Sequence, residues 1–226
     1  KSIAEKHGLR ATFMPKPFLK LTGNGCHAHV SVWDKTSKKN LFESARDSLG
    51  LSKLAYNFLG GVLHNAETLT ALFNPTVNSY KRIDGQVTLS GSTWSPNAIT
   101  YGGNNRTHMV RVPDRGRFEL RLMDGAANPY LLQAGILMAG LDGIDNQRDP
   151  GEPSTINMYT EGHKLKNVRR LPSNLLDAIR LFEKSKILRA GLGDELVSSY
   201  AKLKHAEWRS YTAAISSWES EHTLDC

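Results

Sequence analysis

The segment LTGNGCHAHVSVWD, residues 21–34, leaves a folding chain few choices. Two glycines bracket Asn24, and this turn gives way at Gly25 to strict alternation. Cys26, Ala28, Val30 and Val32 fall on one side of the resulting strand, and His27, His29, Ser31 and Trp33 on the other. One side is core material; the other is a row of polar side chains able to meet a ligand. RFELRLM (117–123) alternates in the same way, with Arg117, Glu119 and Arg121 opposed to Phe118, Leu120 and Leu122. The expected fold class is α+β, an antiparallel sheet with helices packed over it.

The rest of the chain is read from the same signals. Residues 1–8 end a helix at Gly8, 9–14 alternate as a short strand, and Pro15 and Pro17 open a loop. Leu51, Leu54, Phe58, Val62, Ala66 and Leu69 give 48–73 helical spacing, NPTVNSYKR (74–82) reads as a polar loop, and a Gly/Ser-rich connection runs to Pro96. Further strands are expected at 98–101 and 107–112, a buried small-residue helix at 128–144, and an exposed loop at 145–159. Ser173 and Asp194 are the expected N-caps of the last helices, the final one striped by Leu196, Tyr200, Leu203, Tyr211, Ile215 and Trp218.

Nothing divides the 226 residues, so 1–226 is treated as one unit. No apolar run has the length of a membrane span, and the first residues lack a signal-peptide pattern. The two cysteines, Cys26 and Cys226, do not make a disulfide framework, which favours a reducing, cytoplasmic setting. The net charge of +7 is spread among acidic and apolar residues rather than gathered into a basic helix. Nucleic acid is therefore not the expected partner, and acidic, phosphorylated small molecules are.

Two constellations carry chemistry. His27, His29 and Ser31 behind the glycine turn, with Glu119, combine imidazole and carboxylate as a divalent cation requires. Arg82, Arg106, Arg111, Arg117 and Arg121 offer planar forks for carboxylate and phosphate, with Asn104 and Asn105 beside them. Glycine-rich phosphate loops and the Gly-x-Ser-x-Gly elbow are both missing from the sequence. A nucleotide would be held by metal and arginines.

These stretches resemble the glutamine synthetase superfamily. KPFLKLTGNGCHAHVS (16–31) is similar to its ATP-binding signature, and NSYKR (78–82), NNRTHMVRVP (104–113) and RFELRLMDGAANPYLLQAGILMAGLDGI (117–144) follow in family order. The nearest flavour is the branch with type III glutamine synthetases and γ-glutamylmethylamide synthetase-like enzymes. The resemblance implies a glutamine synthetase/guanidino kinase-like catalytic fold and ATP-dependent ligation of ammonia or a small alkylamine to glutamate through γ-glutamyl phosphate. It implies Mg²⁺ or Mn²⁺, with His27 and Glu119 as metal ligands, and a large homo-oligomer. By the same resemblance His29, Ser31, Arg111 and Arg117 face ATP, Gly23, Arg82 and Arg121 face glutamate, and Arg106 stabilises phosphoryl transfer.

The chain departs from the family in three ways. The small β-rich domain and the strands bearing most metal-binding glutamates are missing, so the chain is expected to be a C-terminal catalytic portion, inactive alone. Thr22 replaces a common asparagine. Trp94 falls where ammonia-using relatives place a glutamate, making it the expected wall of an amine site. The different-class alternative is a non-catalytic structural or ligand-sensing protein that keeps the fold, and guanidino phosphotransfer lacks its reactive-cysteine setting here.

Overall fold

The computed structural model describes residues 1–83, 89 and 95–225. Trp94 and Cys226 lie outside the described residues. In chain order the elements are α1 (Ser2–Lys6), β1 (Ala28–Val30), α2 (Lys53–His64), α3 (Ala66–Phe73), α4 (Val77–Ile83), β2 (Tyr101–Gly102), β3 (Val110–Asp114) and β4 (Arg117–Leu120). The helices α5 (Pro129–Asp145), α6 (Met158–Glu161), α7 (Leu175–Glu183), α8 (Lys186–Leu192), α9 (Asp194–Thr212) and α10 (Ser217–His222) follow. No described helix is long and apolar enough to cross a membrane.

The mixed α+β architecture is as expected, with a four-stranded sheet in the order β1-β4-β3-β2. It is not wholly antiparallel: β2 runs parallel to β3, while β1–β4 and β3–β4 are antiparallel. The sheet turns its apolar face to α2, where the rings of Phe42, Phe58 and Phe118 meet with centroids 5.3 to 6.0 Å apart. Behind them α2 and α5 touch backbone to backbone. A Cβ on Gly61 would lie 2.0 Å from the Ala139 carbonyl oxygen, and one on Gly143 2.1 Å from that of Asn57. Only glycine admits that approach.

Several expected elements change. Residues 9–14 are not a strand, and among the described residues no strand pairs with them. The 48–73 helix is two: Asn65 interrupts it, its Nδ2 donating to the Gly61 carbonyl and to Asp142 Oδ2, both at 2.9 Å. The expected polar loop at 74–82 contains α4, which Thr76 and Ser79 start by exchanging backbone-to-hydroxyl bonds of 3.1 and 3.2 Å. Asn174 rather than Ser173 caps α7, accepting from the Asp177 amide at 2.9 Å. Gly193, at φ +86°, precedes α9, whose Asp194 instead pairs with Arg189. The C-terminal stripe also differs: Val197 and Ala201 are the buried residues of α9, while Leu203, Ile215 and Trp218 are exposed. The helix ends at Thr212, so Ile215 lies beyond it and Trp218 belongs to α10.

Candidate functional site

Strand register builds the site. Across the sheet His29 pairs with Glu119, and Glu119 with Arg111, so these three stand in a line on the face away from the phenylalanines. Just before β1 and just after β4, His27 Nδ1 lies 3.4 Å from Arg121 Nη1, and at the other end Arg117 reaches back to His29. The predicted alternation thus accounts for His27, His29, Arg117, Glu119 and Arg121, and strand pairing adds Arg111.

Glu119 is the centre. Its Oε2 accepts from Arg111 at 2.9 Å, and its Oε1 lies 3.0 Å from Arg121 Nη1 and 3.0 Å from His27 Nδ1. The residue is only 4% exposed. Burial pushes its carboxyl up, but the Arg111 hydrogen bond and the charges of Arg121, His27 and Arg111 outweigh it and hold the group below the usual range. His27 moves down, through burial first and Arg121 next, with Glu119 opposing. Arg121 Nε is buried with no hydrogen-bond partner, an unspent donor beside this carboxylate. Along the row, Arg117 donates to His29 Nδ1 at 2.8 Å and pairs with Asp114, while Ser31 accepts from Trp33 Nε1 at 3.1 Å.

The glycine turn packs against this lattice. A Cβ on Gly23 would lie 2.2 Å from the Pro15 carbonyl oxygen, so no other residue fits. A Cβ on Gly25 would stand 3.0 Å from His27 Nε2 and 3.1 Å from Arg82 Nη2. Arg82 is 3% exposed and donates to the carbonyls of Leu122 at 2.9 Å and Arg121 at 3.4 Å. Its guanidinium is therefore under the turn, spent in part on backbone.

Arg106 is exposed and, among the described residues, makes no hydrogen bond or ion pair. The loop that displays it is fixed on both sides. Arg111 Nε donates to Asn104 Oδ1 at 2.7 Å, and Asn105 Nδ2 donates to the Ile156 carbonyl at 2.9 Å. Thr107 Oγ1 donates to Asn105 Oδ1 at 2.7 Å and accepts from the Met158 amide at 3.0 Å, while His108 is fully buried against Thr100.

Sequence reasoning missed the residues that hold this frame. Asn24 Oδ1 accepts from the Gly125 amide at 2.9 Å, and its side-chain amide donates to the Met14 carbonyl. The Lys16 amide donates to Asn78 Oδ1 at 2.7 Å, and Asn78 Nδ2 returns a bond to the Lys16 carbonyl at 3.1 Å. Asparagines at turns were the available signal. Trp94, the expected amine-site wall, lies outside the described residues.

Comparison with known proteins places these features in a family. A family model described as glutamine synthetase, catalytic domain, matches residues 1–223. A glutamine synthetase of Rhizobium leguminosarum bv. phaseoli is 60% identical over 225 residues, covering 100% of this chain and 52% of that protein. A glutamate–methylamine ligase of Methyloversatilis universalis is 45% identical over 228 residues, covering 99% of this chain and 51% of its own length. The solved GmaS/ADP complex superposes with a TM-score of 0.93 at 60% identity, across 100% of this chain and 52% of that one. The chain thus spans about half the length of the relatives it matches. With its sheet, its Gly-turn strand and nearly every residue inside the match, the chain belongs to the glutamine synthetase catalytic-domain family.

Proposed function

We propose that this chain forms the ATP- and glutamate-facing part of a ligase that joins ammonia or a small alkylamine to the side-chain carboxylate of glutamate. The observation that carries the reading is the line His29–Glu119–Arg111 with His27 and Arg121 at its end: one carboxylate among guanidinium groups whose donors exceed what it can accept. Such a surface suits a polyphosphate. His29, Ser31, Arg111 and Arg117 bind the nucleotide; Gly23, Arg82 and Arg121 form the glutamate end, with Arg82 acting through the turn it supports. Arg106, displayed with free donors, stabilises the phosphoryl group as it passes to glutamate and forms the acyl phosphate that the amine attacks. Release of inorganic phosphate completes the balance.

The donor set fits part of a divalent ion's shell. Two ligands at about 2.1 Å and at right angles lie about 3 Å apart, and His27 Nδ1 is 3.0 Å from Glu119 Oε1. Mg²⁺ or Mn²⁺ held there would offset phosphate charge and polarise the transferring group. No group of three His, Cys, Asp or Glu able to hold a metal exists among the described residues, so the remaining ligands would come from substrate phosphates and from protein outside this chain. The whole protein is read as a cytoplasmic homo-oligomer acting on small molecules, and Trp94 as an apolar, cation-accepting wall that favours an alkylammonium over ammonia.

The test compares this chain alone with the same chain preceded by the half its relatives carry. Phosphate release from ATP, glutamate and methylamine is expected only from the longer protein, and Arg106→Ala there should lower kcat by tenfold or more. Release by the chain alone would overturn its dependence on the other half; none from the longer protein would overturn the ligase reading.

A further inference from the structure

A cavity of about 480 Å³ opens on the helical side of the molecule and shares no residue with the sheet-face site. It lies between the end of α2, the segment after α5 and residues 167–169, and its wall includes Leu63, His64, Ile99, Arg148, Val168 and Arg169. That volume is in the range of small-molecule sites. We propose that it binds a small organic anion, a carboxylate or phosphate head on an apolar body.

The charges are arranged for this. Arg148 is held from behind by Asp142, with Nε to Oδ2 at 2.6 Å and Nη2 to Oδ1 at 3.2 Å. Arg169 is held by Glu67 at 2.6 Å and by the carbonyls of His64 at 2.9 Å and Leu63 at 3.3 Å. Neither Asp142 nor Glu67 lines the cavity, so the carboxylates stand outside the wall. The unspent donors, Arg148 Nη1 and Arg169 Nε, are carried on guanidinium groups already fixed in place. Asp149 is the one acidic residue in the lining, and one of its oxygens already accepts from the Gly151 amide at 2.9 Å. Burial chiefly pushes the His64 imidazole below its ordinary value, and Arg148 and Arg169 add to it against Asp142 and Glu67. Leu63, Ile99 and Val168 supply the apolar surface.

The backbone at the rim is strained as well. Of three non-glycine residues with positive φ among the described residues, Asn167 (62°) lines the cavity and Gln147 (48°) sits between two residues that do. Strain of this kind gathers at ligand-binding sites.

The test is an NMR titration of the chain with phenyl phosphate, benzoate, inorganic phosphate and benzylamine, read at the amides of 167–169. Phenyl phosphate and benzoate should saturate at lower concentration than inorganic phosphate, and benzylamine should bind at least tenfold more weakly. Val168→Asp, which adds a carboxylate to the wall, should weaken the two aromatic anions tenfold or more, and His64→Glu, at an exposed position, should do the same. Benzylamine binding as tightly as phenyl phosphate, anion binding confined to the sheet-face arginines, or unchanged affinity in both variants would overturn the proposal.

Discussion

Phe118 and Glu119 are neighbours on β4, at 0% and 4% exposure, yet the two faces of the sheet bury them by opposite means. Phe118 enters a cluster with Phe42 and Phe58 that any apolar shape of similar volume could approximate. Glu119 is tolerated only because Arg111, Arg121 and His27 converge on it. The apolar face therefore stores stability. The charged face has more donors than its carboxylate can satisfy, and it is the face on which we propose the chemistry.

Three experiments put pressure on this contrast. Phe118→Ala should have the largest effect, about 3–5 kcal/mol of unfolding free energy through lost burial and a residual cavity, measured by urea denaturation, with phosphate giving no recovery. Glu119→Gln should cost less, about 1–3 kcal/mol, because buried donors lose an anionic acceptor. Here added phosphate should restore much of the loss by pairing with Arg111 and Arg121; equal recovery in both variants would erase the distinction between the faces. Asp124 should give the smallest effect. It is fully buried, and burial raises its carboxyl despite bonds from Ser79, Ala126 and Asn74 and the charge of Arg82. A raised folded value favours the protonated form, so this group's contribution is greatest below its unfolded value near 3.8 and declines as pH rises. The stability of Asp124→Asn relative to wild type should accordingly improve between pH 3.5 and pH 7; a change in the other direction would refute the sign.

The sheet face was legible because alternation is a local property: 27, 29 and 31 against 117, 119 and 121 needs only the period of a strand. Residues 9–14 alternate too, but alternation makes a strand only where a partner exists, and none of the described strands pairs with them. Apolar spacing through Val62, Ala66 and Leu69 concealed the break at Asn65, whose side chain is held by Asp142, 77 residues away. Pro75 and the asparagines of NPTVNSYKR signal a turn, yet Thr76 uses that turn to begin α4. The cavity beside Arg148 and Arg169 had no sequence signature, because its wall comes from four separated segments.

Asn24 reaches Gly125 across 101 residues, and Lys16 reaches Asn78 across 62. Local bonds to Met14 and Pro15 shape the turn, but it cannot dock until the segments carrying Gly125 and Asn78 are in place, since loop-closure entropy must be met before the distant bonds form. The Gly23–Gly25 segment is therefore expected to be a late arrival in folding and among the first parts to open locally. In native-state hydrogen exchange the Asn24 and Cys26 amides should open before those of Phe118 and Leu120, leaving the apolar half of the sheet standing while the glycine turn beside it comes and goes.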